Sequence, residues 1–511
     1  MSEKQSIDNT STTSSSNSKS SKDLEITILN DLAIPIEEKN AKVDALAKEY
    51  GIDHKKLMHK IDLCVVPPFC LLYFLAFLDR VNISNANIYG MSKSLDLSST
   101  QFSAALTVFF VPYIVFEIVS NYLLKFIKPH IWLSAMIFLF GIVTICMAWA
   151  KNYGGLITCR LFLGIFEAGS FPSIFYIMSN FYNSRESQRR FSIFFSCTCL
   201  AGGCAGALAY RIHDLDGVHG LHSWQWIYVI EGSFTAGLAF LLYFIVPDFP
   251  EQCRFLNQNE REFIKKKLEI YAGASGFEVK QTFKDVLKVL KDPVIYICAI
   301  AYFCFIVPAY SYAFFAPTII KELGYVAMEA QRHSIYPWLA SMGFSILLAF
   351  ISDYFHNRII FGVISGLISI VGYAIIMGCP HNADVKYAGM FLAAMGLYTA
   401  MPILMCWISL NFNGHIRKSV GTAFFIGFGN IGGIVASFLF PTKDSPLFTT
   451  GMGVGVAFSA LGTLMMCVYC GYLAWKNKVK KSQEYIAHWD SLDDREKVMG
   501  GDLHPDFKYL Y

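Results

Sequence analysis

Twelve long apolar runs separated by short polar breaks set the pattern of this chain. The first six cover Ile61–Leu78 (continuing to about Tyr89), Phe102–Leu123, Ile131–Ala150, Leu156–Phe181, Phe191–Ala209 and Trp226–Val246. The second six cover Val294–Ile319, Ile335–Ile351, Ile359–Met377, Tyr387–Leu410, Thr422–Phe440 and Met452–Trp475. Each is long enough to cross a bilayer, where the backbone finds no water to bond, so each predicts a helix. The expected fold is an all-α membrane protein of twelve helices in two six-helix halves, residues 61–247 and 293–475. Residues 248–292, between the halves, are polar and end in an amphipathic stretch, Phe283–Leu290. Residues 1–60, with a serine-rich run from Ser11 to Ser21, are too polar to bury a core and read as a disordered tail. Residues 476–511 form a second, short tail. A 6+6 plan with a long middle connection reads as two internal repeats that rock against each other.

The basic residues orient the bundle. Arg254, Arg261, Lys265, Lys266, Lys267, Lys280, Lys284, Lys288 and Lys291 crowd the middle connection. Arg185, Arg189 and Arg190 follow the fourth run, and Arg417 and Lys418 follow the tenth. The alternate connections hold little more than Lys93, Lys151, Lys386 or Lys443. The positive-inside bias therefore puts both tails and the middle connection in the cytosol, and an even number of spans agrees.

Composition narrows the class further. Of 511 residues, 54% are hydrophobic and 16% charged, against about 25% charged in an average soluble domain. That balance excludes a soluble multidomain enzyme. A net charge of +3, scattered between apolar runs, gives nucleic acid no basic patch to bind. The 14 cysteines sit mostly inside apolar runs and show neither zinc-ligand spacing nor a disulfide framework, so no metal or other cofactor is expected.

Charges inside apolar runs are the informative residues, because an ionised group at membrane depth is costly. The first half holds Asp79 and Arg80 in run one, Glu117 in two, Arg160 and Glu167 in four, and Glu231 in six. The second half has almost none; its interior polarity comes from Tyr310, Tyr312, Trp407, Asn411 and Asn430, with Asp353 at the end of run eight. Arg160 and Glu167 are two helical turns apart and share a face, whereas Asp79 and Arg80 point about 100° apart. Motion that separates a carboxylate from an arginine can load or release a proton. Asp79 and Glu167 are therefore the candidates for proton coupling, and Arg80 and Arg160 for pairing with an anionic substrate. The other reading of Asp79, Glu167 and Arg80 is a set of fixed ion pairs that hold helices together. Glu117, Glu231 and Asp353, nearer helix ends, are assigned gating or structural roles.

Gly427-Phe-Gly429-Asn430-Ile-Gly432 fits the dinucleotide fingerprint G-x-G-x-x-G but lies inside an apolar run, with no strand before it. Close helix packing on small residues is the better account, as for Gly202 and Gly206 in run five. No Walker loop and no nucleophile–base set is present, which removes support for an ATP-driven pump or an enzyme.

These residues, taken in order, resemble the major facilitator superfamily, within it the anion:cation symporter family, and there the fungal allantoate and nicotinate permease branch. The resemblance spans roughly Ile61 to Trp475, plus the tail. It rests on Leu78-Asp79-Arg80-Val81-Asn82-Ile83 with Asn85-Ala86; on Phe109-Phe110, Tyr113, Phe116-Glu117 and Ser120-Asn121; and on Arg160-Leu161-Phe162-Leu163-Gly164 with Glu167-Ala168 and Pro172. Trp224-Gln225-Trp226 with Glu231-Gly232 and Pro247-Asp248-Phe249-Pro250 continue it. So do Trp407 with Asn411 and Gly414, Gly429-Asn430 with Gly432, and the final Gly501-Asp502, His504-Pro505, Phe507 and Tyr509. The resemblance implies that the first-run Asp-Arg and the fourth-run Arg and Glu serve substrate and proton coupling. Two places depart from it. The basic loop between runs two and three shrinks to Lys125-Phe126-Ile127-Lys128, and Gln225 replaces an arginine common between the two tryptophans, which puts an ion pair with Glu231 in question. Run five lacks the Gly-Pro pattern of drug antiporters, which favours symport.

The expected function is proton-coupled symport of a small organic anion across the plasma membrane by a multi-pass, monomeric carrier. The family suggests nicotinate, allantoate, ureidosuccinate, pantothenate or biotin. All are carboxylates that need a cation such as Arg80 or Arg160. Tyr310, Tyr312 and Trp407 can stack a flat ring, which puts nicotinate first. A transporter-like sensor or receptor and an uncoupled facilitator are the alternatives.

Overall fold

The computed structural model describes residues 36–511 apart from 125, 273–282, 356, 380–381, 413–414, 446, 493–496, 498–499 and 506. The serine-rich run, Lys125, Lys280 and Gly414 lie outside the described residues. Within them the long elements are all helices. In the first half these are α1 (Ile36–Glu49), α2 (His54–Ile88), α3 (Ser99–Leu123), α4 (Pro129–Met147), α5 (Tyr153–Glu167), α6 (Ser170–Ser179), α7 (Ser184–Ile212) and α8 (Ser223–Ile245). The connection contributes α9 (Gln258–Ala272) and α10 (Phe283–Leu290). The second half has α11 (Pro293–Glu322), α12 (Ala327–Phe355), α13 (Arg358–Gly378), α14 (Ala383–Asn411), α15 (His415–Ala436) and α16 (Thr449–Val479), followed by α17 (Gln483–Asp490).

Among the described residues, eleven helices are long and apolar enough to cross a membrane, and a shorter apolar helix, Val420–Ala436, supplies a twelfth crossing. Large apolar side chains such as Phe240, Phe244, Leu347, Leu367 and Leu464 point outward, more than half exposed. Water would not tolerate so continuous an apolar surface; lipid tails do. Side chains at helix starts satisfy the first free backbone N–H groups. Asp53 accepts from the Lys55 and Lys56 amides at 3.0 and 3.2 Å, and Asn152, Asn357 and Asn382 cap α5, α13 and α14 in the same way.

The fourth apolar run is broken between Glu167 and Ser170. Pro172 has no N–H to offer the Ala168 carbonyl, so the helix restarts there. At Gly169 a Cβ would overlap the Ser120 hydroxyl, so α3 passes within backbone distance of the break.

The two halves meet where α7 packs on α12, where α3 packs on α15, where α2 packs on α11, and where α7 also packs on α14. Adding six to each span number turns the first seam into the second, the relation expected of two repeats about a pseudo-twofold axis. Small residues bring the seams close. Gly202 and Gly206 of α7 lie under Trp338 and Ser334 of α12, and Gly433 of α15 lies under the Phe110 ring of α3. Gly429 and Gly432, in the stretch that mimics a nucleotide fingerprint, instead receive Tyr302, Ile306 and Val307 of α11. Helix packing accounts for that stretch.

Arg189, Arg190, Arg417, the connection and both described chain ends gather at one end of the bundle, called here the basic end. The expectation of a disordered tail up to residue 60 fails from Ile36 onward. Val43 and Ala47 of α1, one turn apart, are buried against α9, and the Tyr271 hydroxyl donates to Asn40 at 2.6 Å. In turn α9 is fixed to the first half by Lys60–Glu260 at 2.8 Å and Lys267–Glu186 at 2.7 Å. By contrast α10 packs on α15 of the second half.

The C-terminal segment is also docked. The Arg417 guanidinium bonds Asp502 at 2.6 Å and Asp292, the cap of α11, at 2.8 Å. Gly501 takes a left-handed φ of 49°, which turns the chain so that Asp502 faces inward. Asn477 pairs with the Tyr509 backbone in both directions, at 2.9 and 3.0 Å. Lys480 donates to the carbonyls of Asp502 and Phe507. Burial pushes its ammonium down, to about 7. Burial pushes Asp292 up, but the Arg417 charge outweighs it and holds this carboxyl below the usual range.

Candidate functional site

Helices of both halves enclose a central cavity of about 610 Å³, counting the part open to solvent. Tyr73, Phe77 and Arg80 line it from one face of α2, and Tyr302, Ile306 and Tyr310 do so from one face of α11. Tyr113, Thr198, Tyr398 and Asn430 complete the polar lining, in which Arg80 is the charged side chain. Phe110 lies beside this lining, its ring 5.1 Å from Tyr310 and 6.2 Å from Phe314.

Arg80 is 4% exposed. One arm of its guanidinium meets the Glu167 carboxylate and another meets the Tyr310 hydroxyl. Rings of Phe109, Tyr113 and Tyr310 surround it at 5.1, 5.2 and 5.7 Å. Aromatic faces suit a delocalised cation taken out of water, and the planar fork can engage a carboxylate with two bonds. Glu167 is brought to Arg80 by the turn that ends α5, and its second carboxyl oxygen has no partner among the described residues.

Asp79, next to Arg80, points the other way. It accepts from Thr235 of α8 at 3.0 Å and from Asn82 at 3.2 Å. Arg160 is buried on the same face as Glu167, beside Tyr228, with Nε and one terminal nitrogen unpaired among the described residues. Glu231 faces Asn82 and Asp79, and neither of its oxygens is bonded among the described residues. Gln225 spends its side chain capping α8 and donating to the Ala148 carbonyl at 2.7 Å, and Glu231 has no ion pair among the described residues.

Of the residues expected at the cavity, Arg80, Tyr310 and Asn430 line it, and Glu167 pairs with Arg80 behind the lining. Tyr312 does not; it is buried edge-on against Trp338 and Tyr398 at 5.5 and 6.2 Å. Trp407 and Asn411 are not there either. They sit at the basic end, where the Trp407 indole and the Asn411 amide both bond the Leu510 carbonyl, at 2.8 and 3.0 Å. The tail claims their polar groups. Asp353 lies at the same end, bonded to Arg358 and, across the α7–α12 seam, to Arg189 at 3.3 Å. Glu117 is buried on the α3–α15 seam, facing Asn430.

Sequence reasoning missed Tyr73, Tyr113, Tyr302 and Tyr398. The helical spacing of 73, 77 and 80, and of 302, 306 and 310, carried the signal, since each set shares a face with a residue already singled out.

Two six-helix halves around a shared polar cavity define a carrier of small molecules across a membrane, not an enzyme. Residues 69–437 match the profile of the Major Facilitator Superfamily. The chain belongs to that superfamily. An uncharacterized transporter of Schizosaccharomyces pombe is 33% identical over 90% of this chain and 93% of its own length. The high-affinity nicotinic acid transporter of Saccharomyces cerevisiae is 29% identical over 89% of this chain and 85% of its own. Among solved structures, an inward-facing bacterial homolog of the human lysosomal transporter Spinster aligns with a TM-score of 0.60 at 15% identity, covering 80% of this chain and 95% of that one. The proton:xylose symporter XylE aligns at 0.59 and 14%, covering 79% and 95%.

Proposed function

We propose that this transporter carries a small organic carboxylate, nicotinate first among candidates, into the cell together with a proton. The carrying observation is Arg80: a buried cation on the cavity wall, paired with a carboxylate from another helix and ringed by aromatic faces. In the resting arrangement Glu167 occupies the guanidinium. A proton arriving on Glu167 cancels that attraction, and the substrate carboxylate takes the vacated bonds while its ring lies against Tyr113 or Tyr310. When the halves rock and the proton leaves, Glu167 reclaims Arg80 and expels the anion. Asp79 shares the proton, and Arg160 supplies positive potential behind both acids. The likeness to the yeast nicotinic acid transporter supports the choice of substrate, and the crowding of lysines and arginines supports a cytosolic basic end. Residence in the plasma membrane and action as a monomer complete the proposal.

The test is uptake of labelled nicotinate, allantoate, ureidosuccinate, pantothenate and biotin by cells that lack their own carriers, at outside pH 5 and 7.5. Uphill accumulation of one carboxylate, steeper at pH 5 and lost in Arg80→Ala and Glu167→Gln at normal surface levels, is expected. Equal transport of uncharged nicotinamide by the wild type refutes the anion reading. Stoichiometric binding without accumulation points to a sensor, and accumulation indifferent to pH to a facilitator.

A further inference from the structure

Glu117 is a buried carboxyl on the α3–α15 seam, next to the cavity-lining Asn430, that the scheme above leaves unused. It is 5% exposed, and its Oε2 has no hydrogen-bond partner among the described residues. It also sits where the halves touch. Seven residues before it on α3, Phe110 packs over Gly433 of α15; Glu117 itself faces Asn430, three residues before that glycine. The two helices run in opposite directions, so these are successive contacts along one seam. Asn430 on α15 is the hydrogen-bonding neighbour of Glu117, and the titratable groups within its electrostatic reach are Tyr113 on its own helix and Tyr302 and Tyr310 on α11. Arg80 and Glu167 lie beyond Tyr113 and Tyr310 and pair with each other. Among the described residues no lysine, arginine or histidine forms an ion pair with Glu117.

We propose that Glu117 is a second proton-binding side chain of the transport cavity, loaded when the α3–α15 seam closes on it and emptied when the seam parts. The proposal rests on the anion-symport reading and deepens it. A buried ionised carboxylate with no cation paired to it is costly, and an incoming organic anion raises that cost by like-charge repulsion. The protonated acid has neither cost, and it can bond the Asn430 amide. When the seam opens, water reaches the carboxyl, its O–H bond breaks, the proton passes to water and the anion loses its neutral neighbour. Because Asn430 belongs to the opposite half, the proton site is made and unmade by the rocking itself. Arg80–Glu167, anchored largely within the first half, lacks that feature.

The experiment uses the full-length protein in proteoliposomes with labelled nicotinate as probe, measuring uphill accumulation under an imposed pH gradient and gradient-free exchange. Glu117→Gln is expected to keep exchanging labelled for unlabelled nicotinate while accumulation falls at least tenfold and loses its dependence on outside pH between 5 and 7.5. Glu117→Asp, which keeps a carboxyl, is expected to retain pH-driven accumulation and also checks that the site tolerates substitution. Accumulation and pH dependence in Glu117→Gln equal to wild type overturn the role of Glu117 alone. Loss of exchange together with accumulation, in a variant purified as a monodisperse protein, also overturns it. A wild type that accumulates no carboxylate overturns the anion reading, and this inference with it.

Discussion

The contact of Arg417 with Asp502 and Asp292 makes the docking of the C-terminal segment testable. Arg417, Asp292 and Asp502 are 6%, 13% and 1% exposed at the side chain, and all three bonds to the guanidinium are 3.1 Å or shorter. Arg417→Met fills similar space but leaves two carboxylates facing each other without their cation. Breaking a buried pair from one side costs about 3–5 kcal/mol. At about 2–4 °C per kcal/mol, for a cooperative unit the size of one half, the midpoint should fall by about 6–20 °C. Fluorescence-detected thermal unfolding of the detergent-purified protein reads this directly. Asp502→Asn is the second arm. The double variant should fall short of the summed single effects, because each change removes the same bonds; a coupling of about 0.5–3 kcal/mol is the range for residues in contact. A shift under about 2 °C for Arg417→Met, or strict additivity in the double variant, refutes the claim that this contact holds the segment down.

Three further outcomes follow from the geometry. Gly433→Val puts a side chain where the Phe110 ring packs, so uptake should collapse at normal surface level, whereas Gly427→Ala, with no atom within 4 Å of the new Cβ, should leave uptake within about twofold. Arg80→Lys keeps the charge but not the fork that reaches Glu167 and Tyr310 together, so the KM for carboxylate in an uptake assay should rise at least about tenfold, or about 1.4 kcal/mol. Lys480 titrates lower when docked than in the unfolded chain, so the docked state binds fewer protons between about 7 and 10.5. Stability should therefore rise with pH across that window, and thermal melts at pH 7 and 9 should show a slope that Lys480→Met flattens.

The membrane-spanning architecture was readable because lipid leaves the backbone one choice. The apolar runs announced most spans to within a few residues, although helices such as α7, α12 and α15 start seven or eight residues earlier than expected. The break inside the fourth span was harder to see; Pro172 signals it only once Gly169 is known to face Ser120. Of the cavity, the arginine and acid were legible as charges in costly places. Tyr310 was legible too, but most of the other tyrosines were not singled out, since aromatic residues occur throughout the apolar runs and three-dimensional neighbours separate a lining ring from a packed one. Tyr310 and Tyr312 make the point: two positions apart on one helix, one touches Arg80 and the other packs on Trp338. Trp407 and Asn411 misled because their partner, Leu510, lies about a hundred positions further on. Likewise α1 was missed because two small apolar residues make too narrow a stripe to register in a polar stretch.

The ownership of the connecting helices has a mechanical consequence. Since α9 is bolted to the first half and α10 to the second, the changeover falls between Ala272 and Phe283. Ten intervening residues can span at most about 36 Å. The described contacts that link the strokes of the two bodies are therefore those of their touching faces. Two separately synthesised pieces, one ending with α9 and the other starting with α10, would each keep its connecting helix on its own body.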